Sequence, residues 1–440
     1  MSAEVYAPLV AKFGGTSMAS PEVVMSHLEV AGDSPDVVVV SAPGKDETHK
    51  VKTTDMLLGY KKGAVIAEEI QRRFEDILLI SGSDTDPVCQ AIVDNIPTDL
   101  SDWTDNNDPV EALGEHWSAR LFAAQTGREF VDAREIIFFD NNGSLNETET
   151  NNSIRSRLSR GGHYIVPGYY GLRADGHMQA FPRGGSDITG AVIARALQAR
   201  QYDNWSNVDG FMSADPEKIA NARFLDLITY REARELSNGG AELLHRTVIK
   251  LLGHSGIKTV MRNTFGTPGN SGTEVVSDRA WQWQPVVAVT GRDDMLAVSL
   301  HEFGLNEEIG GTADLYAELE HHGIPYEHAA TGTDDVSLFI AGFKQYRDKV
   351  SDIIDTLKRP GRRLEANPAG LVHVVGEGLA RSGTDRLRTL GLVATALAEE
   401  GVQGRGGTDV GASATLTLFV KPEAVTDAVR IAHSALKLDE

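Results

Sequence analysis

Apolar and polar positions alternate along this chain with two different periods. Val37, Val38, Val39 and Val40 form an unbroken apolar run closed by Ser41, Ala42, Pro43 and Gly44. Glu135 to Phe139 and His163 to Val166 read the same way. Continuous runs of this kind predict strands covered on both faces, as in mainly parallel sheets. Helical stretches fall between them. Pro21 to Ala31 has Ser20 as N-cap and Pro21 at the first helical position. Glu111 to Gln125 ends at Thr126-Gly127, a helix stop. The polar stretch Ser101 to Asp108 predicts a surface loop. Strands and helices in alternation predict an α/β layer architecture.

Near residue 280 the pattern changes. After Trp281-Gln282-Trp283-Gln284-Pro285, a linker or strand entry, strands are predicted at Val286–Val289 and around Leu296–Leu300. A helix around Gly311–His322, the segment Tyr326–Ala330, a strand at Val336–Ala341 and a helix at Tyr346–Leu357 follow. The order then recurs: strand Leu371–Val375, helix Thr384–Glu400, strand Ala414–Val420, helix Pro422–Leu436. Two β-α-β-β-α modules are predicted, too few repeats for a solenoid.

Composition narrows the functional classes. The chain has 440 residues, long enough for two or three domains. Its net charge is −21, which disfavours phosphate backbones and anionic lipid as partners. A single cysteine, Cys89, excludes an internal disulfide and a Cys-rich metal site. The N-terminus lacks a basic start followed by an apolar core, and no apolar run is long enough to span a bilayer. A cytoplasmic protein that binds neither nucleic acid nor membrane is expected.

Against that acidic background, two glycine turns carry cations. Lys12-Phe13-Gly14-Gly15-Thr16-Ser17 joins an apolar stretch to the capped helix. Adjacent glycines let backbone N–H groups approach an anion, and a strand-end lysine adds a compact positive charge. The lysine precedes the glycines, unlike the Walker order. Arg183-Gly184-Gly185-Ser186-Asp187 opens a second amphipathic helix, with Ser186 or Asp187 able to cap it and Arg183 offering a planar fork. Each turn, read alone, is also a plain helix start. A third segment, Trp205 to Pro216, interleaves polar and aromatic residues after a short strand and could hold a purine and its ribose, or be an ordinary loop. Glu115 could neutralise an ammonium group, and Thr54-Asp55 is a weaker candidate. The histidines show no trusted metal-ligand spacing. Together the cationic turns suit two clustered anions. Like charges ~4 Å apart cost ~4 kcal/mol at an effective dielectric near 20, so phosphoryl transfer to an anionic acceptor needs local cations and a divalent ion.

In combination these motifs resemble aspartate kinase of the amino-acid kinase family, over essentially the whole chain. The resemblance implies a mainly parallel α/β sheet sandwiched by helices, carbamate-kinase-like, at 1–280, and two ferredoxin-like ACT modules at 281–365 and 366–440. It implies transfer from ATP, with Mg²⁺, to the β-carboxylate of L-aspartate, the first step toward lysine, threonine, methionine and isoleucine. Lys12, Gly14 and Gly15 would lie at the transferring phosphoryl group, with Asp187 orienting Lys12. Thr54, Glu115 and Arg183 would bind aspartate, and Gly184, Gly185 and Ser186 would form the second turn. Ser206, Asn207, Phe211 and Asp215 would surround the nucleotide. The ACT modules imply a homodimer or larger assembly and feedback by lysine or threonine, with Asn306 and Glu327 as effector contacts. Three positions depart from the family pattern: Ser206-Asn207 in place of Thr-Asp, Glu242 in place of a lysine, and the insertion-like run Lys45 to Lys52 between Gly44 and Thr54.

Overall fold

The computed structural model describes residues 7–28, 34–158, 161–241, 243–266, 272–408 and 413–439. The chain divides into two compact units. One comprises Met1–Phe211, Asp226–Tyr230 and Leu244–Asp278; the other comprises Met212–Leu225, Arg231–Leu243 and Arg279–Glu440. Two stretches inside the expected 1–280 domain therefore belong to the second unit. Among the described residues no helix is long and apolar enough to cross a membrane.

The first unit is built on an eight-stranded sheet. Across it run Glu129–Phe130, Tyr164–Pro167, Val37–Val40, Leu9–Phe13, Gln201–Ser206, Lys258–Asn263, Thr273–Val276 and Leu227–Thr229. The first six are mutually parallel, and Thr273–Val276 runs antiparallel to Lys258–Asn263. All four valines of Val37–Val40 are fully buried, as a strand covered on both faces requires. On one face Ala11, Phe13, Val38 and Val40 pack with Ala119, Phe122 and Ala123 of the helix Leu113–Thr126. The helix Gly185–Ala196 packs against the Leu9–Phe13 strand. Parallel strands bring their carboxyl ends to one edge, where ligands of open α/β sheets bind. The turns after Phe13, Val40, Pro167 and Ser206 therefore share that edge.

The second unit carries a six-stranded sheet in the order His328–Thr331, Asp335–Ala341, Ala288–Glu302, Arg362–Val375, Thr415–Val420, Gly404–Thr408. All neighbours are antiparallel. Two apolar cores form on it. Leu296, Val298, Val336 and Leu338 pack with Leu315, Leu319, Val350 and Ile353 from the helices Ala313–His321 and Arg347–Thr356. Val289, Val372, Val374 and Leu416 pack with Val393, Leu397, Ala428 and Ile431 from the helices Gly383–Glu399 and Val425–Ala435. The two strands expected near residues 286 and 296 are one 15-residue strand, with an irregularity in pairing between Arg292 and Met295. The expected boundary at 365/366 falls inside Arg362–Val375, and Val289 packs with the C-terminal core.

Other expectations are corrected. Ser101–Asp108 is not a loop; Ile96–Asp105 is helical, with Ile96, Leu100 and Trp103 buried. Those three follow the i, i+4, i+7 spacing of one helix face, which the acidic residues between them hide. Glu135–Phe139 is not a central strand. Ala133–Glu135 is a 3-10 turn, and Phe138–Phe139 pairs in a separate three-stranded sheet. The Pro21 helix runs to Leu28; the remainder of that expected helix lies outside the described residues.

The inward face of the Asp335–Ala341 strand can be tested directly. Leu338→Ala, at a fully buried position, is expected to destabilise by about 2–5 kcal/mol. Leu387→Ala, at a position 69% exposed, should change stability by less than ~0.5 kcal/mol. Urea unfolding of the two variants measures both, and equal midpoints would reject the assigned burial.

Candidate active site

Lys12 is the penultimate residue of Leu9–Phe13, and its neighbours Ala11 and Phe13 face the core. Side chains alternate along a strand, so Lys12 projects from the opposite face. There it is 7% exposed, and its Nζ lies 2.8 Å from Asp187 Oδ1. Lys12 and Asn204 are register partners on adjacent parallel strands and therefore share a face. Asn204 Nδ2 donates to the same Asp187 oxygen at 3.1 Å. Asp187 sits in the first turn of Gly185–Ala196. Lys12 is thus held by a carboxylate that is itself fixed by an amide.

The two glycine turns flank this pair. Gly14 N–H donates to the Trp205 carbonyl at 3.1 Å. A Cβ on Gly15 would stand 2.9 Å from the Ala42 carbonyl oxygen. A Cβ on Gly44 would stand 2.7 Å from the Gly15 carbonyl carbon, so the loop 41–44 and the Gly14–Gly15 turn touch backbone to backbone. Gly184 caps the second helix at φ +83, a left-handed conformation that favours glycine. Side chains at Gly184 and Gly185 would collide with His245 and Tyr169. Ser186 is buried beside Gly168. Arg183 precedes this cap, is exposed, and forms no ion pair among the described residues. Both sequence-predicted cations therefore stand at one end of the same helix, one paired and one free.

Glu115 lies in the first turn of Leu113–Thr126, 5% exposed, and its Oε2 has no hydrogen-bond partner among the described residues. Burial raises its carboxyl to about 8. The backbone N–H groups of Ala42 and Glu115 and the Lys12 ammonium pull it down, and Glu111 adds to the rise. A buried acid with an unused oxygen beside a cation is suited to receive an ammonium group. Thr54 is half-buried in the first turn of Thr53–Lys61, and the Thr53 N–H donates to the Pro43 carbonyl at 3.1 Å.

The expected nucleotide residues are more dispersed. Ser206 ends the Gln201–Ser206 strand and is half-buried, and Asn207 is exposed after it. Phe211 is fully buried, so its ring offers no free face for stacking; its N–H donates to Thr273 Oγ1 at 2.9 Å. Asp215 belongs to the second unit, where it accepts the Glu217 N–H at 3.1 Å and pairs with Lys218 at 3.2 Å. Asn306 is exposed and Glu327 half-buried, both in the second unit. Glu242 lies outside the described residues. No cluster of three or more metal-ligating side chains occurs among the described residues.

Sequence reasoning missed Asn204, Thr53 and Tyr169. Asn204 could have been found as a polar residue near the carboxyl end of a parallel strand. Thr53 is fully buried with its Oγ1 unpartnered among the described residues, and nothing local marks it. Tyr169 has φ +82, a backbone conformation costly for a residue with a side chain.

Comparison with known proteins gives the family. Residues 7–263 match the family model described as the amino acid kinase family. The chain is 30% identical over 401 residues to aspartokinase 3 of Bacillus subtilis, covering 84% of this chain and 86% of that protein. It is 26% identical to an aspartokinase of Bacillus sp. strain MGA3, covering 84% of each. The crystal structure of the aspartate kinase of Clostridium acetobutylicum, described as an allosteric enzyme, superposes with a TM-score of 0.84 at 27% identity, covering 98% of this chain and 100% of that one. Aspartokinase III of E. coli, solved with lysine and aspartate, shares the fold with a TM-score of 0.73 at 22% identity. With the family model matched over more than half its length and the cationic turns at one sheet edge, the chain belongs to the amino acid kinase family, among the aspartokinases.

Proposed function

We propose that the protein is an ATP-dependent aspartate kinase, transferring the γ-phosphoryl group of ATP to the β-carboxylate of L-aspartate to give 4-phospho-L-aspartate and ADP. One observation carries the reading: the buried Lys12 ammonium paired with Asp187 between two glycine turns, with a Glu115 oxygen that has no partner among the described residues nearby. Phosphoryl transfer depends on positioning and charge neutralisation more than on covalent help from the protein. Lys12 neutralises the transferring group, and Asp187 and Asn204 hold Lys12 in place. Gly14 and Gly15 allow close backbone approach, and the start of the Gly185–Ala196 helix, with Gly184, Gly185 and Ser186, favours negative charge. Glu115 takes the substrate ammonium and Arg183 the α-carboxylate, with Thr54 nearby. The β-carboxylate is already a nucleophile, so no strong base is needed.

Ser206 and Asn207, at the strand end, are the nucleotide contacts that fit the sheet edge best. Phe211, expected among the residues around the nucleotide, has its ring packed away, so a contact from it would come from its backbone. Mg²⁺ fits as an ion carried by the triphosphate. Such ions keep several waters and need few protein carboxylates. Magnesium supplies charge neutralisation on the phosphate oxygens.

The two cores of the second unit fit a pair of regulatory ACT modules. Lysine or threonine is the proposed effector, with Asn306 and Glu327 as candidate contacts, and pairing of modules between two copies the proposed assembly. Lysine accompanies the E. coli enzyme named above.

Lys12→Ala is expected to abolish aspartyl phosphate trapped with hydroxylamine while leaving the fold intact; near-normal turnover in that variant rejects the role. An ADP-release assay across aspartate, glutamate and acetylglutamate should respond to aspartate alone, and a preference for either other acceptor would reassign the substrate.

The Glu115 carboxyl gives a pH prediction. Raised to about 8, it is mostly protonated at pH 7 in the empty site. Binding an ammonium group requires its charge, so aspartate binding should release a proton, and affinity should rise with pH until about 8. Without ligand the sign for stability is opposite. Between the ordinary carboxylate range and about 8 the folded chain keeps a proton that the unfolded chain has lost, so Glu115's contribution falls as pH rises. Calorimetry in buffers of different ionisation enthalpy measures the released proton, and Glu115→Gln should eliminate it. Equal heats in all buffers at pH 7 would sink the assignment.

A further inference from the structure

Arg73 belongs to no motif described above, yet its side chain is 1% exposed within the helix Ala67–Ile80. Its Nη2 donates to the Gly44 carbonyl at 3.1 Å. Its Nη1 lies 2.8 Å from Asp46 Oδ2 and 2.8 Å from His49 Nδ1. A guanidinium can only donate. His49 Nδ1 therefore accepts, which places the ring proton on Nε2, 3.0 Å from Asp76 Oδ2. Asp46 also accepts the N–H groups of Thr48 and His49 at 2.8 and 2.6 Å. Burial works against the Asp46 charge, but the His49 backbone N–H and the Arg73 charge outweigh it and hold the carboxyl below its usual range. The insertion-like run from Lys45 to Lys52 is thus folded around Arg73.

The loop that Arg73 grips reaches three parts of the candidate site. Gly44 N–H donates to the Gly15 carbonyl at 2.6 Å. Pro43 accepts the Thr53 N–H at the start of the helix carrying Thr54. The Ala42 N–H acts on the Glu115 carboxylate. We propose that Arg73 is a positioning residue: by holding the Gly44 carbonyl it fixes the loop 41–44, and through that loop the placement of the Gly14–Gly15 turn relative to Glu115. The kinetic consequence rests on the aspartate kinase reading; the positional one does not.

Arg73→Lys tests this, because it keeps the charge but replaces the fork with a single point donor. In the variant the Ala42 N–H drifts from Glu115. The Glu115 titration midpoint, followed by carbon-13 NMR of labelled glutamate and identified through Glu115→Gln, is expected to move upward from about 8. The kcat for aspartate phosphorylation is expected to fall on the order of tenfold to a hundredfold, the scale of a small misplacement at a reacting centre. An unchanged midpoint in the folded variant overturns the proposal whether or not the protein turns over aspartate. A shifted midpoint with unchanged kcat also overturns it, since the loop would then not set the reacting geometry. Should Arg73→Lys not fold, Asp46→Asn, at a side chain 19% exposed, loosens the same guanidinium and is judged by the same two readouts. A wild-type protein without aspartate-dependent turnover refutes the kinase reading, and the titration alone then decides the role of Arg73.

Discussion

A lysine ammonium kept nearly out of water is the constraint around which the first unit is arranged. Removing such a charge from solvent is costly unless it is paired and further hydrogen-bonded. Lys12 meets both conditions: Asp187 neutralises it at 2.8 Å, and Asn204 fixes that carboxylate. The parallel register supplies Lys12 and Asn204 side by side, and the helix beginning at Gly185 supplies Asp187. Each partner comes from a different element, so the pair exists only when the sheet and its covering helix have formed. A site assembled this way is pre-organised by the fold itself.

The electrostatic contrast follows. The whole chain carries a net charge of −21, yet the carboxyl edge of its parallel sheet gathers Lys12 and Arg183. Among the described residues only Lys12 is neutralised by a carboxylate. The free guanidinium and the unused Glu115 oxygen are complementary to an α-carboxylate and an α-ammonium, as an amino acid presents them. The guanidinium is charged before the ligand arrives, and Glu115 completes the opposite pattern by giving up its proton as the ammonium binds.

Much of this was legible in the sequence because local chemistry announced it. The valine run, the two glycine turns and the caps are short-range signals with direct physical causes. Tertiary context decided the rest. The helix Ile96–Asp105 escaped because acidic residues crowd its exposed side, leaving a sparse apolar stripe. Ala288–Glu302 was read as two strands because Gly291 to Asp294 interrupts the apolar pattern, and pairing with Arg362–Val375 carries the strand through that interruption. Arg73 could not be found at all. An arginine among Gln71, Arg72 and Glu75 looks like helix surface until the loop from Gly44 to His49 closes over it.

The long strands of the second unit have an architectural consequence. Ala288–Glu302 and Arg362–Val375 are central to the sheet, and each passes through both apolar cores. Neither half is a detachable cassette. Excising one would strip the ladder from half of each shared strand and leave bare hydrogen-bonding edges open to aggregation. Recombination or truncation in this part of the chain must carry both halves together.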